Sequence, residues 1–425
     1  MIFYTETSRD IKINFGSGVP MTVFDKADVI ARRQKLAAVV RKAHEGREIG
    51  AIVVCASFEE ERRRFRQNSY FYYLFGIIEP AAVGVIDLTG EATVYLPDFG
   101  GARGLWVDEQ LTLMSDPDLF GLISMKPLGE IQRGYSSIPV FTQNAYNNLI
   151  QDLKAVRAAG GVLAQVCGDS TGDVVSQNLL SFICETVIVD KQFYNATTLV
   201  DSLRRVKNDR ELKSIRQAIA ITQSAHHAAA RILRPGLREY ELQAVIEAEF
   251  IRHGALLPAF PSIVGGGVKS TVLHYVDNNR VLEAGDLVVV DIGAEYEYYA
   301  ADLTRTYPVG GRYSPRQREI YELVLAAQQY AAELVKPGMF LRNMTMKEQS
   351  LHWHVVEFFK KQGLEKFFPH GLGHYLGLDV HDVGTFLEPL REGDVFTIEP
   401  GLYLRDEEIG VRIEDDYLMT PTGAE

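Results

Sequence analysis

Phe368-Pro-His-Gly-Leu-Gly-His-Tyr-Leu-Gly-Leu-Asp-Val-His-Asp-Val-Gly384 concentrates chemistry that the rest of the chain uses sparingly. It holds three of the ten histidines, His370, His374 and His381, with Gly371, Gly373, Gly377 and Gly384 threaded between them. Glycines at that density weaken a helix by about 1 kcal/mol each relative to alanine, so the spacing predicts irregular or tightly turned backbone. His370 and His374 have the interval of the zinc-binding helix motif H-E-x-x-H, but the glutamate is missing and glycines interrupt the pattern. On its own the run reads either as a solvated loop or as part of a site. The acids elsewhere in the chain separate the two.

Around this run, 425 residues are enough for about two or three domains. Hydrophobic residues make up 46% and charged residues 24%, ample material for sizeable cores. The formal net charge of −12 argues against a nucleic-acid or anionic-membrane surface, which would need a basic patch. Cys55, Cys167 and Cys184 are scattered without C-x-x-C spacing. That argues against a thiolate zinc site or a disulfide framework and points to a reducing compartment. The amino terminus, MIFYTETSRDIKINFG, lacks the apolar stretch of a secretory signal. No window approaches the roughly eighteen consecutive apolar residues of a membrane helix. A cytoplasmic protein with neither membrane nor nucleic acid as partner is the expectation.

Residues 1–198 read as one α/β unit. Apolar periodicity predicts a helix over 27–44, a strand over Gly50–Cys55, and a hairpin of Ala82–Asp87 with Ala92–Leu96. The aromatic-rich stretch Phe65–Gly76 reads as core and interface packing. The join to a second unit, residues 199–425, falls near Thr197–Val206. Asn208 and Glu211 then form a capping box ahead of a long amphipathic helix that Pro235-Gly236 ends. Further helices are expected over Glu239–His253, from Ser314-Pro315 to Pro337-Gly338, and over Asn343–Gln362. Strand-like runs fall at Leu287–Ile292, Tyr298–Val309, Val395–Glu399 and Val411–Leu418. Helices grouped with hairpin strands make this half α+β. His226-His227 and His352-Trp353-His354 lie on the expected helices and read as surface or packing residues.

Gly285-Asp-Leu-Val-Val-Val-Asp-Ile-Gly293 is an apolar run that carries an acid, Asp291, at its end. A buried carboxylate is costly unless it is paired or bound to a cation. Asp302 opens the return strand of a hairpin and can face Asp291. Glu399 ends another apolar run. In Val411-Arg-Ile-Glu-Asp-Asp416, alternation puts Arg412 and Glu414 on one face. Four acids at strand ends beside a histidine cluster make an oxygen-rich site with imidazole to hand. Such a donor set suits Mn2+, Co2+, Fe2+ or Zn2+. Four carboxylates exceed what one divalent ion needs and match two bridged cations, which lower the pKa of a shared water to about 7.

The ordered set Asp291, Asp302, His374, Glu399 and Glu414 resembles the dinuclear metallopeptidases of the pita-bread (creatinase/aminopeptidase) fold, most closely the proline-specific branch. LHYVDNN (Leu273–Asn279), VVDIGAEY (Val289–Tyr296), DLTRTYPV (Asp302–Val309), HGLGHYLGLDVHDVG (His370–Gly384), TIEPGLY (Thr397–Tyr403) and GVRIEDD (Gly410–Asp416) carry the likeness. FRQNSYFYYLFGIIEP (Phe65–Pro80) resembles the amino-terminal domain of the same branch. The resemblance implies an α+β pita-bread catalytic domain behind an α/β aminopeptidase P-like domain. It further implies two divalent ions per chain, Mn2+ first, with Asp302 and Glu414 bridging, Asp291 on one metal, and His374 and Glu399 on the other. Glu399 would take a proton from the attacking water. His274, His370 and His381 would contact substrate or the leaving nitrogen, and Arg412 would orient carboxylates.

The implied reaction is hydrolysis of the Xaa-Pro bond, releasing the first residue from peptides with proline second. Xaa-Pro dipeptidase (prolidase) activity is the alternative. The link Leu404–Ile409 is short where many prolidases carry an insertion that reads the product carboxylate. A binding module of the same fold would have lost its ligands, and here all five are intact. The branch also implies a homodimer or homotetramer.

Overall fold

The protein is described here by a computed structural model covering residues 25–44, 48–60, 63–109, 111–137, 139–168, 174–187 and 193–425. The amino-terminal segment assessed above for a secretory signal lies outside the described residues. Among the described residues, no helix is long and apolar enough to cross a membrane.

The first half is built on a six-stranded sheet, ordered Ser124–Pro127, Ala92–Leu96, Val83–Ile86, Ile49–Cys55, Val162–Val166, Phe193–Asn195. Ile49–Cys55 pairs in parallel with Val162–Val166 and antiparallel with Val83–Ile86, so the sheet is mixed. Its buried central strand, Ile-Gly-Ala-Ile-Val-Val-Cys, is covered on one side by the helix Lys26–Ala43. The aromatic stretch forms the short helix Ser69–Phe75. Asn68 caps its start by accepting from the Tyr70 and Phe71 amides, and Gly76 closes it at φ +66. Five of its seven side chains are apolar or aromatic and buried, as expected for packing. Tyr72 stacks on Tyr298 with ring centroids 3.9 Å apart. The core beneath it joins Phe71, Leu74 and Phe75 to Ile215, Tyr299, Leu376 and Val395 of the second half. The two halves therefore share one apolar core.

In the second half the helices Asp209–Ile232, Glu239–Arg252, Pro315–Leu334 and Leu351–Lys360 surround short antiparallel sheets. The expected capping box at Asn208/Glu211 is made, and Ser314 and Gln317 make another at the start of Pro315–Leu334. Leu287–Ile292, buried along its whole length, is the middle strand between Ile263–Gly266 and Leu303–Pro308.

Three expected elements differ. The helix expected from Asn343 begins at Leu351, because the Asn343 side chain accepts from the Thr345 and Met346 amides and closes a turn instead. The run Tyr298–Val309 is two strands, Tyr299–Ala300 and Leu303–Pro308, broken before Asp302. Val411–Leu418 is likewise divided into Ile409–Arg412 and Asp415–Thr420, with Ile413 and Glu414 between. Both breaks free a carboxylate from the regular ladder.

Candidate metal centre

Register brings the acids together. Thr304 sits opposite Asp291 in the hairpin, and Asp302 lies two residues earlier on the same face. An isolated bridge pairs Thr304 with Glu414, whose amide donates to the Thr304 carbonyl at 3.1 Å. The Thr304 hydroxyl donates to Glu414 Oε2 at 2.6 Å. From the other side, the Thr397 amide donates to the His374 carbonyl at 2.9 Å, and the Glu399 amide to the Leu372 carbonyl at 2.8 Å. This close lacing requires Gly373: a Cβ there would overlap the Thr397 carbonyl.

One ligand atom each of Asp302, His374 and Glu414 falls within 4.8 Å of the others. His374 Nδ1 contacts the Tyr375 carbonyl at 3.1 Å, which assigns the proton to Nδ1 and leaves the Nε2 lone pair facing the acids. That Nε2 is 3.4 Å from Asp302 Oδ2 and 3.6 Å from Glu399 Oε1. Asp291 is turned differently: its Oδ2 accepts from Arg412 Nη2 at 2.6 Å. Arg412 is in turn held by the Tyr403 hydroxyl at 2.8 Å and Thr304 Oγ1 at 3.3 Å. Arg412 and Glu414 thus share a face, as alternation required.

Electrostatically the acids of the cleft outnumber its cation, Arg412, which is paired with Asp291. Burial, and then the neighbouring charges of Glu414 and Asp291, push Asp302 well above the usual carboxylate range. Burial and Glu414 do the same to Glu399. Burial and Asp291 raise Glu414 to about 8. Asp291 Oδ1, Asp302 Oδ1, Glu414 Oε1 and Asp416 Oδ1 are buried oxygens without a hydrogen-bond partner. Orphaned oxygens on mutually repelling acids, beside one imidazole lone pair, fit divalent cations.

The other expected site residues surround this cleft. His370 Nδ1 is 3.9 Å from Glu399 Oε2, and its Nε2 lies 3.0 Å from the Tyr403 hydroxyl. Burial and Arg412 lower it to about 4, so it is neutral. The exposed His381 ring stacks on His374 with centroids 4.0 Å apart. His274 is exposed and close enough to His381 to depress it, after burial. His226 is buried and bonded to the Leu303 carbonyl at 3.0 Å, a packing residue as expected. His352 packs on Phe368.

Three participants escaped the sequence reading. Thr304 and Tyr403 show themselves only through register. Asp416 accepts from the Asp302 amide at 3.1 Å, and the alternation that paired Arg412 with Glu414 extends to it.

A pita-bread catalytic half with buried carboxylates and one imidazole lone pair around a cleft defines a metallohydrolase. The chain belongs to metallopeptidase family M24, which it matches over residues 213–421; residues 29–139 match the amino-terminal domain of aminopeptidase P. It is 33% identical over 404 residues to the Xaa-Pro aminopeptidase of Haemophilus influenzae, covering 88% of each chain. It is 28% identical to the human Xaa-Pro dipeptidase, over 96% of this chain and 90% of that one. Among solved structures, proline aminopeptidase P II from Yersinia pestis superposes with a TM-score of 0.80 at 29% identity, covering 95% of both chains. A zinc-substituted aminopeptidase P from Escherichia coli in complex with product gives 0.79 at the same identity, covering 95% of this chain and 94% of that one.

Proposed function

We propose that this protein is an Xaa-Pro aminopeptidase, releasing the first residue from peptides whose second residue is proline. The observation that carries the site assignment is the convergence of orphaned, mutually repelling carboxylates on the His374 lone pair. Asp291, Asp302, His374, Glu399 and Glu414 would hold two divalent ions, Mn2+ first among Mn2+, Co2+, Zn2+ and Fe2+. When bound, such ions neutralise the acids, make water nucleophilic at neutral pH and polarise the scissile carbonyl.

The chain's own groups do the rest. Glu399 takes the proton of the attacking water and returns it towards the leaving proline nitrogen. His370, neutral and anchored by Tyr403, faces the substrate with His381 and His274, which steady the tetrahedral oxygen and the leaving group. Arg412 fixes Asp291 through its planar fork. An Xaa-Pro bond is a tertiary amide without N–H, and none of these contacts requires one.

Dipeptidase specificity is the alternative, supported by the human relative. Against it, the Leu404–Ile409 link is short, and its only arginine, Arg405, is exposed on a helical turn, Arg405–Glu407. We assign residues 1–198 to the amino-terminal domain and 199–425 to the catalytic domain. We also infer a cytoplasmic homodimer or homotetramer; exposed Leu105, Trp106 and Met114 on the amino-terminal half support self-association. Metal analysis tests the site: the purified, Mn2+-loaded protein should carry two ions per chain, and the Asp302→Ala variant should carry none stably. Two ions retained by that variant would refute the ligand set.

A further inference from the structure

The histidine run ends in two aspartates, Asp379 and Asp382, that the proposed chemistry does not use; Asp379 is held by the amino-terminal half, and both are held by the segment that joins the halves. Asp382 is buried and shared between two cations: it accepts from Arg204 Nη2 at 2.6 Å and from Lys207 Nζ at 3.1 Å. All three side chains are about 1% exposed. The same Arg204 nitrogen reaches Asp379 at 2.9 Å, and its guanidinium lies over the Tyr70 ring. Asp379 also accepts from Ser69 Oγ at 2.6 Å and pairs with Arg66 at 3.6 Å. Arg66 then donates to the Leu378 carbonyl at 2.6 Å and to Glu295 at 2.7 Å.

The chain of charges is Glu295–Arg66–Asp379–Arg204–Asp382–Lys207, three anions against three cations. Arg66 and Ser69 come from the amino-terminal half, Arg204 and Lys207 from the join. Gly377 is shaped by the clamp, since a Cβ there would overlap Asp382 Oδ2. The Asp382 amide donates to the Tyr375 carbonyl at 2.9 Å, so the segment between Tyr375 and Asp382 is a closed loop with both ends tied. His381 sits between the two clamped aspartates, with its ring on His374. Its own side chain makes no hydrogen bond among the described residues that would fix it otherwise.

We infer that the amino-terminal domain, together with the join, sets the working position of His381: Arg66 and Ser69, with Arg204 and Lys207, are positioning residues that act through Asp379 and Asp382. Balanced ion pairs of this kind, buried at Asp382 and partly exposed at Asp379, contribute little net stability but hold one geometry, and a displacement of about 1 Å at a reacting group costs on the order of 10²-fold in rate. The inference rests on the aminopeptidase assignment and on the substrate-side role given to His381.

The test uses the outer link, because breaking Asp382 would strand two buried cations. Arg66→Met, Asp379→Asn, His381→Ala and the double variant Arg66→Met/His381→Ala are measured on an Xaa-Pro-Yaa tripeptide, with metal content and melting temperature recorded for each. Arg66→Met and Asp379→Asn should each lower kcat about tenfold while KM and the metal-to-protein ratio stay at wild-type values. Adding Arg66→Met to His381→Ala should lower kcat no further. Wild-type kcat in the single variants, a parallel loss of bound metal, or full additivity in the double variant would each overturn the inference. An inactive wild-type protein would instead refute the aminopeptidase assignment itself.

Discussion

Replacing Glu414 by glutamine should make the metal-free protein more stable while destroying metal binding. Glu414 is buried, and burial followed by the charge of Asp291 raises it from 4.5 to about 8. Its folded-state value lies above the unfolded one. Its contribution to stability is therefore whole below about pH 4.5 and is lost as pH rises through about 8. At 1.36 kcal/mol per unit, the ionised fold at pH 8 is weakened by roughly 4 kcal/mol. The amide removes that charge and still accepts from the Thr304 hydroxyl, which now donates to Oε2 at 2.6 Å. Its NH2 group enters a buried space at a cost of about 1–3 kcal/mol. A net gain of about 2 kcal/mol remains, a rise in melting temperature of about 4–8 °C for a unit of this size. Calorimetry in chelator at pH 5 and pH 8 reads it. The variant should melt above wild type at pH 8, match it or fall below it at pH 5, and gain nothing from Mn2+. Melting temperatures that do not separate at pH 8, or a variant stabilised by Mn2+ as wild type is, would refute the reasoning.

Other outcomes follow from the same geometry. Asp302→Ala should abolish hydrolysis and leave the chain folded, as circular dichroism with a metal assay will report. His274→Ala should lower turnover by about 10²-fold or more with bound metal unchanged; lost metal with retained turnover would reverse its role. Gly373→Ala should weaken metal affinity at least tenfold, since the new methyl forces the His374 segment away from Thr397. Titration with Mn2+ measures it.

Local chemistry made much of this protein legible. The boxes at Asn208/Glu211 and Ser314/Gln317 mark helix starts that the structure reproduces, because a cap is decided within four residues. Leu287–Ile292 announced a buried strand by its β-branched run. The broken strands around Asp302 and Glu414 were not legible: the runs on either side read as strand, and the position of Glu414 is set by its pairing with Thr304 across the site. The helix expected at Asn343 lost to a side chain that prefers its own backbone. In the cleft the acids and His374 could be named from the words around them. The orientation of Asp291 towards Arg412, and the parts of Thr304, Tyr403 and Asp416, depend on register between segments more than a hundred residues apart in sequence for some pairs. The clamp on Asp379 and Asp382 is still further from sequence, since Arg66 and Asp379 meet only when both halves have packed.

One comparison bears most directly on the proposed activity. The Mn2+-loaded protein is given an Xaa-Pro-Yaa tripeptide and, separately, the Xaa-Pro dipeptide, and release of the free first residue is followed for each. Efficient cleavage of the tripeptide, abolished by chelation and restored by Mn2+, is the predicted result. Cleavage of the dipeptide alone, or cleavage indifferent to chelation, would contradict it.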